Sequence, residues 1–253
     1  MKAFAVFTKK ELTESLRTYR LAVLLAVFAL LGIMSPLTAK MLPDILGAID
    51  LGGMTLNLPE PTAMDSWTQF FKNVGQMGVL ALIIIFSGIM ASEFSRGTLV
   101  NLLAKGLRRE TVILAKFTAA TLLWTLAYLL CLGVAASYTA YYWEIELQNA
   151  PLAFGGMWLF GELLIALLIL GGTLFANFYG SLLLTGGVTA VLSVLGIVPK
   201  LAKYNPISLS GGTLALLDGQ ASAGDFVTAV VICALCVVAL LAASLAVFRR
   251  KRV

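Results

Sequence analysis

Residues 79–110 read VLALIIIFSGIMASEFSRGTLVNLLAKGLRRE. The stretch begins as an unbroken apolar run and turns, after Ala91, into a segment where leucines alternate with charged and small polar residues. A helix that spans a bilayer needs about 20 mostly apolar residues, and residues 74–91 form such a run. The stretch therefore predicts a membrane span that leads directly into a charged helical segment.

Five further apolar runs have a similar length, and together the six predict an all-α integral membrane protein with a single domain, residues 1–253. The runs cover residues 21–39, 74–91, 117–138, 154–176, 181–198 and 226–248. Of the 253 residues, 60% are hydrophobic and 12% are charged, and the mean hydropathy is +0.94. Soluble proteins are typically about 45–50% apolar and about 25% charged, so a soluble globular domain is excluded.

The distribution of positive charge predicts the orientation, because cytoplasmic loops carry an excess of Lys and Arg. With the N-terminus in the cytoplasm, fourteen of the 18 basic residues fall on the cytoplasmic side. Four fall outside: Lys40, Lys72, Lys200 and Lys203. We therefore expect a cell-membrane protein with both termini in the cytoplasm. The net charge of +5 reflects this topology rather than nucleic-acid binding.

Residues 1–20 predict an amphipathic helix that lies in the membrane interface. Its apolar face holds Phe4, Phe7, Leu12, Leu16 and Tyr19, and its charged face holds Lys9, Lys10, Glu14 and Arg17. The alternative is a positive flank that only sets the topology.

Two connections are predicted to lie outside. Residues 40–73 are expected to form a loop in which Trp67, Phe70 and Phe71 anchor the chain at the interface. Residues 199–225 contain apolar pieces interrupted by glycines and a proline. They predict broken, re-entrant helices, and an ordinary surface loop is an equal alternative.

Catalytic chemistry finds little support in the sequence. The chain has no histidine, the residue most used as a general base and metal ligand. Cys233 and Cys236 have C-x-x-C spacing, but they lie in an apolar run, where thiols stay protonated and inert. No phosphate-binding G-x-x-x-x-G-K-[ST] motif occurs. We expect no catalytic residue, cofactor or metal in this chain.

The charged segment after the second span, residues 92–116, predicts two short helical pieces. An apolar stripe with i, i+3, i+4 spacing is formed by Leu99, Leu102 and Leu103. Thr98 or Ser95 can cap the first piece, and Gly106 suits the left-handed position that ends a helix.

The order of residues in this segment is specific. Glu93-Phe94-Ser95-Arg96-Gly97-Thr98-Leu99, followed by Leu102-Leu103, Arg109 and Lys116, resembles the first cytoplasmic loop of ABC type-2 exporter permeases. Lys10-Glu11-Leu12 with Arg17 is similar to the opening interfacial helix of that family. One departure is Gly106, because the family often has proline in this turn. The resemblance covers essentially the whole chain.

The resemblance implies a permease that forms the translocation pathway as a dimer with an identical or related second permease. A separate ATPase subunit, which binds ATP and Mg, would drive each copy. The loop would be a cytoplasmic coupling helix, with the coupling residues Glu93, Arg96, Gly97, Thr98, Leu99, Leu102, Leu103 and Arg109. The interfacial helix beside it would contribute Phe4, Phe7, Lys10, Glu11 and Arg17.

For three residues of the loop we expect specific contacts. Arg96 and Arg109 are expected to face acidic or carbonyl groups on the ATPase, and Glu93 is expected to pair locally with Arg96. The alternative is a basic connector whose arginines are simply solvated.

Glu162 is the one ionisable residue predicted deep inside a span, about a third of the way along the fourth span from outside. Intramembrane carboxyl groups usually face a bundle interior or cavity, so Glu162 is a possible pathway residue. The alternative is a protonated carboxyl group bonded to a neighbouring helix. The pairs Gly171-Gly172 and Gly186-Gly187 favour close helix packing over a hinge.

Two other functions remain open. A secondary transporter would show internal repeats and several buried charges, and no convincing repeat is found. A non-transporting assembly or structural membrane protein also fits, because no substrate site is recognised and the cargo is unassigned.

Overall fold

The computed structural model describes residues 2–47, 59–95, 97, 104 and 106–251. Every regular element within this part of the chain is helical. The α-helices are α1 (Lys2–Arg17), α2 (Arg20–Gly47), α3 (Ala63–Asn73), α4 (Val79–Phe86), α5 (Gly88–Ser95), α6 (Arg109–Tyr142), α7 (Ala150–Phe175), α8 (Phe178–Gly196), α9 (Pro199–Ala202) and α10 (Ala223–Arg250). A π-helix, Val74–Gly78, joins α3 to α4, and two 3₁₀ helices, Pro206–Ser210 and Gly212–Leu216, follow α9.

Six helical stretches are long and apolar enough to cross a membrane, which confirms an all-helical, multi-pass membrane protein. They are Arg20–Ile45, Ala63–Phe94, Arg109–Tyr142, Ala150–Phe175, Phe178–Gly196 and Ala223–Arg250. Most of these helices extend beyond the apolar runs, because a helix can continue past the apolar part of a membrane into polar residues. α6 and α10 therefore include the basic residues Arg109 and Arg250 at their ends.

The second span begins earlier than the sequence predicts. Residues 40–73 are predicted as a loop, but α2 continues to Gly47 and α3 starts at Ala63. Thr62 and Asp65 form a capping box at this start, in which the Thr62 N–H donates to Asp65 Oδ2 at 2.8 Å. Such a box satisfies N–H groups that have no partner inside the helix, so the cap explains where α3 begins.

The aromatic residues of α3 belong to the core. Trp67, Phe70 and Phe71 are at most 2% exposed, and Trp67 and Phe70 both make edge contacts with Phe154 on α7. The prediction that they anchor the chain at the membrane interface is therefore wrong. One face of α3 is aromatic and the other is polar, so the aromatic face packs onto the bundle.

α7 is the central helix of the bundle and packs against α6, α8 and α10. Its residues 160–169 are all buried. Gly161 lets the indole of Trp124 lie directly on the α7 backbone, because a Cβ at this position would lie 2.4 Å from Trp124 Cε2. α7 is therefore surrounded by other helices over much of its length.

Both described termini lie at one end of the bundle, which we call the terminal end. There, Lys251 Nζ donates to the carbonyl oxygen of Thr173 at 2.7 Å, and Lys10 Nζ lies 2.6 Å from Glu93 Oε1. The opposite, far end holds the α6–α7 connection and the segment after α8. An even number of alternating spans produces this arrangement.

Residues 199–225 pack against the far end of the bundle. Asn205 Nδ2 donates to the Leu192 carbonyl oxygen at 2.7 Å, and Thr213 Oγ1 donates to the Ala153 carbonyl oxygen at 3.2 Å. Leu209 and Leu216 are fully buried. The segment therefore contains short packed helices, and their depth in a membrane stays a prediction.

α1 packs onto the bundle through a different face from the one its apolar pattern predicts. Phe7 and Glu11 are both 5% exposed, whereas Phe4, Leu16 and Tyr19 are 36%, 59% and 73% exposed. The buried face is set by the partners of Glu11 rather than by hydrophobicity alone. The placement of α1 in a membrane interface stays a prediction.

Candidate functional site

A buried group of charged side chains joins α1, α5 and α6 at the terminal end. Lys116 on α6 is 2% exposed, and its Nζ lies 2.8 Å from Glu11 Oε2 and 3.2 Å from Glu93 Oε1. Both carboxylates are buried as well. Taking charges out of water costs several kcal/mol per ion unless close pairing offsets it. Lys116 and its two carboxylates therefore fix the positions of three helices relative to one another.

Lys10 contacts the same group from the solvent side. Its Nζ lies 2.6 Å from Glu93 Oε1, and 3.0 Å from Glu11 Oε1 and from Glu14 Oε2. Burial lowers the pKa of Lys10, but hydrogen bonds to Glu93 and Glu11 outweigh it, so the pKa lies above its usual value. Burial raises the pKa of Glu14, but the hydrogen bond from Lys10 outweighs it, so this pKa is lowered. We call Lys10, Glu11, Glu14, Glu93 and Lys116 the charge cluster.

The charge cluster contains three carboxylates close enough to share a metal ion: Glu11, Glu14 and Glu93. Lys10 contacts all three, and Lys116 contacts two of them. Ammonium groups thus already supply positive charge to these oxygens. The arrangement is a salt-bridge network, and the expectation of no metal site stays a prediction.

The charge cluster lies at both ends of the loop that carries the R-G-T-L motif. Glu93 precedes the motif and Lys116 follows the loop into α6. Gly97 has φ 62° and Gly106 has φ 85°, both in the left-handed region that favours glycine. A left-handed Gly106 agrees with its predicted place after a helix.

Several of the predicted coupling residues lie outside the described residues. They are Arg96, Thr98, Leu99, Leu102 and Leu103. The expected local pair between Glu93 and Arg96 depends on this part of the chain and stays a prediction.

Arg109 binds the end of the last helix within its own chain. Its Nη1 donates to the carbonyl oxygens of Phe248 at 2.5 Å, Arg249 at 3.1 Å and Lys251 at 2.6 Å. The last carbonyl groups of a helix have no intrahelical partner and are often bound by basic side chains. Arg109 therefore binds carbonyl groups of its own chain, and the predicted contact with acidic or carbonyl groups of an ATPase stays a prediction.

Two further basic residues extend this anchor of the C-terminal segment. Lys251 Nζ donates to the carbonyl oxygens of Thr173 at 2.7 Å and Leu174 at 3.1 Å, at the end of α7. Arg249 pairs with Glu110 at the start of α6. In the sequence, Arg249 and Lys251 indicate only topology, because no local pattern marks the distant Glu110 or the main-chain carbonyl oxygens that they bind.

Replacing Arg109 by glutamine is expected to loosen the C-terminal segment and to lower the unfolding free energy by about 1–3 kcal/mol, since hydrogen bonds to charged groups contribute on this scale. Limited proteolysis at Arg249 and Arg250 measures the loosening. Arg108→Gln, on an exposed neighbour, serves as the control. Equal cleavage rates for both variants would contradict the anchoring role.

Glu162 is fully enclosed near the middle of α7. It is 3% exposed and is the thirteenth residue of this 26-residue helix, and its depth in a membrane stays a prediction. Thr121 Oγ1 on α6 donates to Glu162 Oε2 at 2.6 Å. Glu162 Oε1 has no hydrogen-bond partner among the described residues. The structure thus contains the predicted contact to a neighbouring helix and leaves one oxygen unexplained.

The two glycine pairs differ in what they contact. A Cβ at Gly171 would lie 2.9 Å from Ser181 Cα, and one at Gly172 would lie 2.7 Å from Met90 Cβ. Gly186 and Gly187 have nothing within 4 Å of such a Cβ. Close packing therefore accounts for the first pair only.

The expectation that the cysteines form no redox or metal site stays a prediction. Cys131, Cys233 and Cys236 are free thiols, and the first two are buried. Cys233 Sγ lies 3.8 Å from the Leu159 carbonyl oxygen, which agrees with the predicted role as a small apolar side chain.

Comparison with known proteins adds no identification to this geometry. No family model and no curated protein matches this chain.

Proposed function

We propose that this chain is the membrane subunit of an ATP-driven exporter similar to the ABC type-2 permeases. It would form the pathway as a dimer with an identical or related permease. A separate ATPase subunit, which holds ATP and Mg, would bind at the terminal end of each copy. The observation that carries the proposal is the charge cluster, which ties α1 to both ends of the loop with the R-G-T-L motif.

Through the charge cluster, a displacement of that loop would be transmitted to the second and third spans. Glu93 lies at the end of the second span and Lys116 at the start of the third, and both contact α1 through Lys10 and Glu11. A displacement of the loop or of α1 must carry the other elements with it, because separating them would leave buried charges unpaired. The loop and α1 therefore act as one body toward an ATPase.

The anchor at Arg109 extends the same connection to two further helices, α7 and α10. Through Arg109 and Lys251, the ends of α10 and α7 are bound to the start of α6. An ATPase that moves the loop would thereby act on the ends of four spans. In this proposal the terminal end is cytoplasmic, as the excess of basic residues favours, and residues 199–225 form re-entrant helices over the exit.

The two alternative functions require different features of the chain. A secondary transporter needs coupling-ion sites, and Glu162 is the residue that would favour it. A non-transporting assembly protein needs neither a motor nor a pathway. The ATPase-driven proposal accounts for the arrangement around the loop, which neither alternative requires.

Co-expression with the ATPase encoded beside this chain is expected to give a complex that co-purifies and hydrolyses ATP. Arg96→Glu and Gly97→Pro should each lower recovery of the ATPase by about tenfold or more, since like charges at an interface cost several kcal/mol and proline fixes a φ incompatible with Gly97. Lys200→Glu, an equal charge reversal at the far end, should leave recovery unchanged. The proposal fails if no ATPase is recovered with the wild type, or if the loop variants match it.

A further inference from the structure

An open cavity lies at the far end of the second span, between the π-helix and the 3₁₀ helices that follow α9. Its volume is about 300 Å³. Four of its lining residues have polar side chains: Thr68, Lys72, Gln76 and Ser210. Lys72 carries the one charge of this lining, and no carboxylate is among the lining residues that the structure describes. The cavity is therefore polar and positively charged.

Two close contacts of the chain give this cavity its shape. A Cβ at Gly75 would lie 2.9 Å from the Ser210 carbonyl oxygen, so a glycine lets the π-helix approach this wall closely. One residue before the π-helix, Asn73 Nδ2 donates to Ser35 Oγ on α2 at 3.1 Å, which holds the helix against the bundle. π-helices are rare and occur frequently at functional sites. The main chain thus forms two sides of the cavity.

The polar groups of the cavity offer hydrogen bonds that the chain itself does not use. Lys72 and Gln76 are exposed, and among the described residues neither has a hydrogen bond or an ion pair. Their ammonium and amide N–H groups can donate to phosphate oxygens. The hydroxyl groups of Thr68 and Ser210 each donate to a carbonyl oxygen of their own helix, so their oxygens can still accept. A ligand with a phosphate and hydroxyl groups would satisfy both sets.

An exposed apolar stripe leads away from the cavity along α4. It consists of Met77, Leu80 and Ile84, which are 56%, 60% and 56% exposed. The apolar run 74–91 has 18 residues, or about 27 Å at 1.5 Å per residue, close to the thickness of a hydrocarbon core. Lys72 lies two residues before this run. We therefore expect the cavity at the level of lipid headgroups and the stripe at the level of acyl chains.

We propose that this cavity binds the headgroup of an anionic phospholipid whose acyl chain lies along the stripe. Lys72 and Gln76 hold the phosphate, and Thr68 and Ser210 accept hydrogen bonds from a glycerol headgroup. A free phosphate would use the cavity but not the stripe. The lipid is a resident ligand of the membrane surface rather than a cargo, so the inference goes beyond the proposed function and does not rest on it.

Photolabelling of the purified, delipidated full-length chain tests this site. The probe is phosphatidylglycerol with a photoreactive acyl chain, and phosphatidylcholine with the same chains is the zwitterionic comparison. Phosphatidylglycerol should label residues 77–84 and should bind there about fivefold more tightly, since one lysine near a membrane surface contributes on this scale. The affinity is taken from the labelling of these residues, so lipid bound to basic residues elsewhere does not contribute. Binding should also raise the unfolding temperature.

Variants separate the charge of the site from its shape. Lys72→Gln should remove the preference for phosphatidylglycerol, and Lys72→Arg should keep it. Lys200→Gln, on another exposed lysine of the far end, should leave the preference unchanged. Gly75→Ala should weaken the labelling although every charge is kept, because its Cβ displaces the wall at Ser210. Gly155→Ala is the control for this change, because a Cβ there meets nothing within 4 Å.

Inorganic phosphate distinguishes a lipid from a free anion. Millimolar phosphate should leave the labelling unchanged, and the proposal is wrong if phosphate displaces the lipid. It is also overturned if both lipids label residues 77–84 equally, or if a Lys72→Gln variant with the unfolding temperature of the lipid-free wild type is labelled like the wild type. No ATPase is present in these measurements. Failure of the lipid site therefore leaves the exporter proposal standing, and failure of co-purification leaves the lipid site standing.

Discussion

Replacing Lys116 by methionine is expected to lower the free energy of unfolding by about 3–5 kcal/mol, the range found when one partner of a buried ion pair is removed. The ammonium group is 2% exposed and contacts Glu11 at 2.8 Å and Glu93 at 3.2 Å. Methionine keeps a long apolar stem but leaves two buried carboxylates without this counter-charge. Lys10 offers limited compensation, because it already contacts three carboxylates.

Denaturation by sodium dodecyl sulfate in mixed micelles measures this loss. Lys9→Met, on the exposed side of α1, is the matched control and should change the free energy by no more than about 1 kcal/mol. Adding Glu11→Gln to Lys116→Met should recover part of the loss, because it removes one uncompensated charge. If Lys116→Met unfolds like the wild type, the buried ion pairs do not stabilise the protein.

The six spans could be predicted because length and hydropathy are local properties of a sequence. α3, in contrast, lies in a segment that the sequence predicts as a loop, and the cause is again a local property. Its buried aromatic residues, such as Trp67, alternate with polar residues such as Lys72, so the average hydropathy of the segment is low. A test for helical periodicity, rather than for average hydropathy, would have extended the second span to the capping box at Thr62.

The charge cluster could be predicted only in part. The resemblance singles out Glu11, Glu93 and Lys116 as members of separate motifs, but their contacts join residues 105 positions apart in the chain. The one local signal is that Lys116 lies at the edge of a long apolar run, where a charged group needs a partner. Which carboxylate supplies it depends on how α1 folds back onto the bundle.

The contacts of Arg109 could not be predicted from the sequence, for a different reason. Its acceptors are main-chain carbonyl oxygens, which every residue has, so no pattern in the sequence marks them. The start of the fourth span is a further example, because the apolar run begins at residue 154, whereas α7 begins four residues earlier, at Ala150.

Replacing Gly171 by valine is expected to separate the hairpin formed by α7 and α8 and to lower the unfolding free energy by about 3 kcal/mol, at the upper end of the usual cost of overpacking. A Cβ at this position would lie 2.9 Å from Ser181 Cα, and a main-chain atom cannot turn aside as the end of a side chain can. The same contact brings Ser181 Oγ within 2.8 Å of the Leu168 carbonyl oxygen. The valine therefore also breaks a buried hydrogen bond.

Gly186→Val is the matched control, because it makes the same change in the other helix of the hairpin where nothing lies within 4 Å. Valine has a higher helix propensity than glycine, so the control should be neutral or slightly stabilising. Equal losses for both variants would contradict the packing interpretation of Gly171. A loss for Gly186→Val that grows weaker at higher protein concentration would instead place α8 in the contact between two copies.

Gly171→Ala tests the alternative that this glycine is a hinge. A hinge predicts lower transport at an unchanged free energy of unfolding, whereas close packing predicts that transport and the free energy of unfolding fall together.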